Sequence, residues 1–163
     1  MDMSSWNDFA AAAPELAAGV KGRFDAHKHH LLATVRKDGS PRISGTETVF
    51  VEGELWLGSM PDARKARDLQ RDPRLALHAA PIDLELADGD AKLSGRAVEI
   101  TDEAEKEAVM AASVESGQDQ PPPGPFHLFR VDITEAALVR VRGDLLVVDS
   151  WREGEAPRRT ERR

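Results

Sequence analysis

The sequence predicts a mainly β protein with flanking helices, its short antiparallel strands forming a closed or nearly closed barrel in one domain. Three observations carry that prediction. Between residues 31 and 59 apolar side chains recur with a period of two, interrupted by Asp38-Gly39 and Glu52-Gly53, pairs that turn a strand back on its neighbour. The same period returns between residues 74 and 151. Helical spacing is confined to the N-terminus, to a stretch after the third strand and to another after the middle of the chain. Seven or eight short strands in this order favour closure, which removes exposed edges.

Each element has a local cause. Residues 5–28 read as helical, with Ser5 as a cap and Asp8 as its partner three residues on. The alanine run 10–13 favours helix, and Pro14 starts a second helix or kinks the first. Leu16, Val20 and Phe24 then give one packing face. Strands follow at 31–36 and 42–51, and 54–59 pairs back after Glu52-Gly53. A helix begins at Pro61, which suits a first helical position, with Asp62 at its positive end and Asp72-Pro73 stopping it. Its buried stripe is Ala63, Ala66 and Leu69, which leaves Arg64, Arg67 and Arg71 on a shared side. Residues 74–80 form a strand stopped by Pro81, residues 82–86 alternate, and Asp88-Gly89 turns into a strand over 90–100. Thr101-Asp102-Glu103 caps a helix over 103–116, and the proline-rich segment 118–125 has no periodicity and reads as a mobile loop. Strands at 126–133 and 136–142, a turn at Gly143-Asp144 and a last strand at 145–151 complete the sheet. The remaining tail is polar and is expected to fray.

Composition bounds the function. The chain has 163 residues, 40% hydrophobic and 31% charged, which fits a single globular domain over 1–163. Within it, 1–28 is the N-terminal helical segment, 29–152 the barrel and 153–163 the polar tail. The absence of cysteine excludes disulfides, thiolate metal sites and thiol nucleophiles. A formal charge of −7 argues against nucleic acid as a partner, and the clustered basic residues at 64–74 and 158–163 suit a small anion better. No apolar run approaches the roughly 18 residues of a membrane span, and the N-terminus lacks a signal pattern. The expectation is a soluble cytoplasmic protein with no membrane partner.

Ser59, the helix-terminal N–H groups and the Arg64-Lys65 pair converge in this reading on one spot suited to phosphate or another dianion. An ordinary surface helix with solvated cations fits the same residues. Period two places Arg42, Ser44, Thr46, Thr48 and Phe50 on one strand face with Gly45 between them. That row is either a hydroxyl-lined wall for a flat polar ligand or the solvent face of an edge strand. His27, His29 and His30 cannot share a helical face, so they read as helix C-terminal caps, not as metal ligands. No nucleophile elbow, phosphate-binding Gly-rich loop, dinucleotide fingerprint or metalloprotease helix is present. An enzyme so built relies on a cofactor for the difficult chemistry. No side chain is nominated as catalytic.

Several segments are similar to the split β-barrel flavin and deazaflavin oxidoreductases that include the pyridoxamine 5′-phosphate oxidases. They are Leu32-Ala33-Thr34-Val35-Arg36-Lys37-Asp38-Gly39-Ser40-Pro41, the Leu57-Gly58-Ser59 corner with Arg64-Lys65-Ala66-Arg67-Asp68-Leu69-Gln70-Arg71-Asp72-Pro73, then Leu93-Ser94-Gly95-Arg96-Ala97, and Ser150-Trp151-Arg152. The resemblance implies an FMN-binding type of antiparallel split β-barrel and a homodimer with cofactor between subunits. It further implies that Arg64 and Lys65 hold a cofactor phosphate, that Ser59, Met60, Ser44, Gly45 and Thr46 flank the ring system, and that Trp151 lies near the cofactor. Where the oxidase itself carries an Arg-x-Val-Leu-Leu-Lys-like run, this chain has Ser44-Gly45-Thr46-Glu47-Thr48-Val49. It is therefore not expected to be a true pyridoxamine phosphate oxidase. It looks more like the branch whose members use F420, with some using FMN or holding haem-derived pigments. The implied function is an F420- or FMN-dependent oxidoreductase that exchanges a hydride with a small conjugated substrate. The alternative is a non-catalytic flavin-, haem- or tetrapyrrole-binding module.

Overall fold

Ser5 starts the first helix as its spacing to Asp8 predicts. Its hydroxyl accepts the Asp8 N–H at 3.1 Å, and the Asp8 carboxylate accepts the Ser5 N–H at 2.8 Å. The computed structural model describes residues 4–80 and 84–163. Pro14 separates α1 (Trp6–Ala12) from α2 (Pro14–Asp25), and Leu16, Val20 and Phe24 are all buried. The strands are β1 (His29–Val35), β2 (Pro41–Glu47), β3 (Val49–Val51), β4 (Glu54–Ser59), β5 (Arg74–His78), β6 (Asp90–Ile100), β7 (His127–Arg142), β8 (Leu145–Arg152) and β9 (Arg158–Arg162). Helix α3 (Arg64–Arg71) joins β4 to β5, and α4 (Glu103–Glu115) follows β6 with the Asp102 carboxylate accepting the Glu105 N–H at 2.8 Å.

All pairings are antiparallel, in the order β2-β1-β5-β6-β7-β4-β3, with β8 and β9 continuing from the far half of β7. The sheet is not closed by hydrogen bonds, but β2 curls back beside β4, so the architecture is a split barrel. The long β7 makes the split. Its first half pairs with β4 from His127 to Val131, and its second half pairs with β8 from Glu135 to Arg142. Between the halves, Thr134 is an extra residue opposite the Ser94–Gly95 step, a bulge of the kind that bends a strand.

One apolar core fills the space between α1, α2 and the sheet, with Phe9, Phe24, Leu55 and Phe129 almost wholly enclosed. Each such side chain contributes about 1.5–3 kcal/mol relative to exposure. A smaller cluster of Trp56, Ile100, Val109 and Leu128 lies under α4. Among the described residues no helix is long and apolar enough to cross a membrane.

Four expectations need correction. The strand expected over 42–51 breaks at Thr48, and its two pieces pair with different neighbours, β2 with β1 and β3 with β4. The strands expected at 126–133 and 136–142 are one strand, because the bulge absorbs the change in phase. In the segment expected to alternate over 82–86, residues 82–83 lie outside the described ones and 84–85 turn, with Leu86 following at φ 50°. The tail does not end the sheet as a frayed segment. It forms β9, with Arg159 Nε donating to Asp149 Oδ1 at 2.6 Å across the β8–β9 pair.

Candidate functional site

The bend from β4 into α3 is where the sequence placed its candidate site. Gly58 and Ser59 end β4, Met60 to Ala63 turn, and the helix begins at Arg64, three residues later than Pro61 predicts. Asp62 adopts a left-handed conformation at φ 59°, which a helical residue cannot, and its carboxylate pairs with Arg67. The helix start carries no side-chain cap. Its first N–H groups therefore face outward with the positive end of the helix dipole behind them.

The basic residues divide by role. Arg71 donates to the Val35 carbonyl and to Asp68 Oδ1, each at 2.9 Å, while Arg67 is held by Asp62 and Gln70. Only Arg64 among the helix arginines makes no ion pair or hydrogen bond with the described residues, and it is exposed. Lys65 is half-buried, and its Nζ donates to the Gly45 carbonyl at 2.9 Å, which pins α3 to β2. Burial pushes its ammonium pKa down, and the Glu47 carboxylate opposes that shift. An anion docking beside Lys65 would restore the charge stabilisation that burial removes.

Strand β2 presents Arg42, Ser44 and Thr46 on its inner side, and Pro41, Ile43, Gly45 and Glu47 outward. Arg42 is tied to Asp68, Thr46 is buried with its hydroxyl donating to the Glu47 carbonyl at 3.3 Å, and Ser44 is half-buried without a hydrogen-bonded side-chain partner among the described residues. The hydroxyl row is thus two residues long, because Thr48 leaves the strand and Phe50 packs against Trp6 and Phe24.

Ser59 carries an orphaned polar atom, since its Oγ is buried with no hydrogen-bond partner among the described residues. A Cβ added at Gly45 or Gly58 would meet nothing within 4 Å, so both strands offer bare backbone for close approach. An orphaned hydroxyl, two open backbone faces, an uncapped helix start and a cation pair fit the phosphate and ring edge of a flavin-type cofactor. Met60 borders them, 77% exposed.

Trp151 stands apart from this group. It lies on β8, packed at 4.9 Å against Phe9, and four strands separate β8 from β2 along the hydrogen-bonded path. It lines a cavity of about 420 Å³ with Ser94, Glu135 and Arg158, and its indole Nε1 is buried without a partner among the described residues. The Lys65–Gly45 hydrogen bond sets the β2 candidates beside the bend that carries Ser59, Met60, Arg64 and Lys65, whereas Trp151 lies elsewhere in the chain.

Sequence reasoning missed Asp68, which organises the site from beneath. Its carboxylate, 3% exposed, accepts from Thr34 Oγ1 at 2.8 Å and Arg42 Nε at 2.7 Å as well as from Arg71. Burial alone would raise its pKa, but these donors outweigh burial and lower it. Its place next to the Ala66–Leu69 stripe was the available signal. The histidines also find structural roles. His30 is buried, with Nε2 2.9 Å from the Phe24 carbonyl and Nδ1 accepting the Ala80 N–H at 3.1 Å. It does cap α2, as a neutral group whose pKa burial lowers. His127 Nδ1 lies 2.8 Å from Glu99, and His78 is held by the Ala79 carbonyl and Asp90. Among the described residues no cluster of His, Cys, Asp and Glu could hold a metal.

No curated protein matches this chain. Solved structures with the same fold include PhzG from Burkholderia lata 383, seen with tetrahydrophenazine-1-carboxylic acid, at 18% identity and a TM-score of 0.63 over 95% of this chain and 91% of that one. A pyridoxamine 5′-phosphate oxidase-related, FMN-binding protein from Nostoc punctiforme PCC 73102 gives 16% identity and a TM-score of 0.63 over 93% and 96%. A heme-binding protein from Mycobacterium smegmatis gives 23% and 0.57, covering 83% of this chain and 57% of that one. The family model described as pyridoxamine 5′-phosphate oxidase matches residues 16–140, from the second helix through most of β7. By that match the chain belongs to the pyridoxamine 5′-phosphate oxidase family.

Proposed function

We propose that this protein is an oxidoreductase that binds FMN or F420 between two copies of the chain and exchanges a hydride with a small conjugated substrate. The observation that carries the proposal is the bend at Ser59 to Lys65, where a buried hydroxyl without a partner among the described residues lies beside an uncapped helix start and an exposed Arg64. Arg64, Lys65 and the first N–H groups of α3 would hold the cofactor phosphate, and Ser59, Met60, Ser44, Gly45 and Thr46 would border the rings. Bound there, either cofactor supplies a ring that accepts and releases hydride. The chain supplies anchoring, orientation and exclusion of water.

The pairing of two copies is supported by the way the candidate residues divide. A partner presenting its Trp151 cavity to the α3 bend would bring all of them to one place, with an indole N–H available to an acceptor. Dissimilarity to the oxidase over Ser44–Val49 leaves pyridoxamine phosphate without the basic residues it would need.

Fluorescence titration of the purified chain with FMN and with F420 tests the reading. Arg64→Ala combined with Lys65→Ala is expected to weaken binding by about 2–4 kcal/mol, the worth of two charge-assisted contacts, one of them exposed. Unchanged affinity in the double variant removes the site, and saturable haemin binding with no response to either flavin would favour the pigment-binding module.

A further inference from the structure

A second region of the molecule concentrates positive charge where the chain as a whole is acidic. At the junction of α1 and α2, a cavity of about 690 Å³ opens between the start of α2 and the β8–β9 hairpin. Arg140, Arg142, Arg158 and Arg159 line it, against the carboxylates of Glu15 and Asp149. Cations thus outnumber anions two to one in a protein whose formal charge is −7.

The two carboxylates do not use up the guanidinium groups. Asp149 is shared, accepting from Arg140 at 2.5 Å and from Arg159 at 2.6 and 3.1 Å. Arg140 nevertheless keeps its Nε buried without a partner among the described residues, its side chain being 22% exposed. Arg142 and Arg158 are exposed and form no ion pair with the described residues. An anion in the cavity would meet the exposed guanidinium groups of Arg142 and Arg158, which no carboxylate among the described residues neutralises.

The other walls define the rest of the ligand. α2 begins at Pro14, its N-cap Ala13 offers no side-chain acceptor, and Leu16 in its first turn lines the cavity. Backbone N–H groups and the positive helix end therefore add to the guanidinium field. Leu16 and Leu138 make an apolar floor. β9 is what completes the pocket, since it carries Arg158 and Arg159 and is held in place by Asp149.

We propose that this cavity is a second binding site, distinct from the α3 bend, for a small organic phosphate monoester. The guanidinium groups and the start of α2 take the phosphate, and the apolar floor takes the organic part. Planar guanidinium forks suit the tetrahedral oxygens of phosphate.

Titration calorimetry of the full chain with phenyl phosphate tests this, using three proteins side by side. The wild type is expected to bind at two sites per chain, this cavity and the α3 bend, and Arg142→Ala with Arg158→Ala to weaken the cavity site by about tenfold or more. Arg64→Ala with Lys65→Ala is expected to remove the α3 site and to leave the affinity of the cavity site unchanged. Arg142 and Arg158 are both exposed, so their replacement spares the fold, which an unaltered thermal midpoint verifies. Backbone amide shifts provide the second measurement, with Glu15 and Leu16 expected to move on titration in both the wild type and the Arg64/Lys65 variant, and Ser59 only in the wild type. Equal affinity in the Arg142/Arg158 variant, loss confined to the Arg64/Lys65 variant, or shifts confined to the α3 bend would overturn the proposal.

Discussion

Ser59 and Asp68 are both buried polar residues near the same helix, and they call for opposite expectations. Ser59 Oγ has desolvation without compensation, so removing it relieves a cost. Ser59→Ala is expected to leave the cofactor-free protein as stable as the wild type or slightly more so, within about 1 kcal/mol, while weakening FMN or F420 by about 1 kcal/mol. Paired denaturation and binding measurements on one variant check both halves, and a loss of apo stability would mean the hydroxyl already has a partner. Asp68 is the reverse case, since Arg42, Arg71 and Thr34 all converge on it. Asp68→Ala strands Arg42 beside a buried gap and is expected to cost about 3–5 kcal/mol. Its folded pKa lies below the ordinary 3.8. The stabilisation is therefore complete above that value and is lost as the pH falls through the folded pKa. Acid titrations of wild type and variant should converge at the acidic end. A gap between them that persists there would argue against the ionised carboxylate as its source.

Among elements, the sheet's turns were the most legible part of the sequence and its long-range pairings the least. Asp38-Gly39 closes β1–β2 with Gly39 at φ 86°, a conformation glycine adopts without strain, and local spacing alone identifies it. The Ser5–Asp8 cap and the Pro14 helix start are equally local. The continuity of β7 is not, because it depends on β6 opposing it across a bulge that no window of one strand reveals. β9 escaped for a related reason. All of its residues are exposed, so it has no apolar alternation, and only the distant Asp149 explains why it pairs. The start of α3 moved because Asp62 took a left-handed turn instead of a helical one. The candidate site was legible as far as its cations and its corner. Asp68 beneath them was not, since a carboxylate in a basic helix reads as solvated until Thr34 and Arg42 arrive from other strands. The bulge itself can be tested at Gly95, where a Cβ would stand 2.3 Å from the Asp132 carbonyl oxygen. Main chain cannot swing away as a side chain can, so Gly95→Ala is expected to cost at least about 2 kcal/mol. A shifted urea midpoint with an unchanged slope would show it, and an unshifted one would mean that β6 and β7 separate easily there.

At the scale of the molecule, the question is what covers the outer face of β1 and β2. On β2 the outward residues are Pro41, Ile43, Gly45 and Glu47, and on β1 Leu31 lies opposite Gly45 in register. Ile43 is 73% exposed and Leu31 44%, both unusual for branched aliphatics in the middle of strands. Gly45 belongs to this same surface and gives its carbonyl to Lys65, so a partner seated here would border the proposed phosphate site. If the proposed two-copy arrangement, in which each copy offers its Trp151 cavity to the other's α3 bend, is built on this face, cofactor affinity depends on assembly. Ile43→Asp tests the linkage without touching a proposed cofactor contact. A carboxylate forced into the interface is expected to cost about 2 kcal/mol or more of association free energy. Sedimentation should then show the variant dissociating at concentrations where the wild type is paired, with FMN or F420 affinity falling in step. Because Ile43 points outward, the thermal midpoint of the separated chain should stay near that of the wild-type chain. If the wild type binds its cofactor tightly while sedimenting as a single chain, the bend at Ser59 to Lys65 is sufficient alone and the two-copy arrangement is wrong.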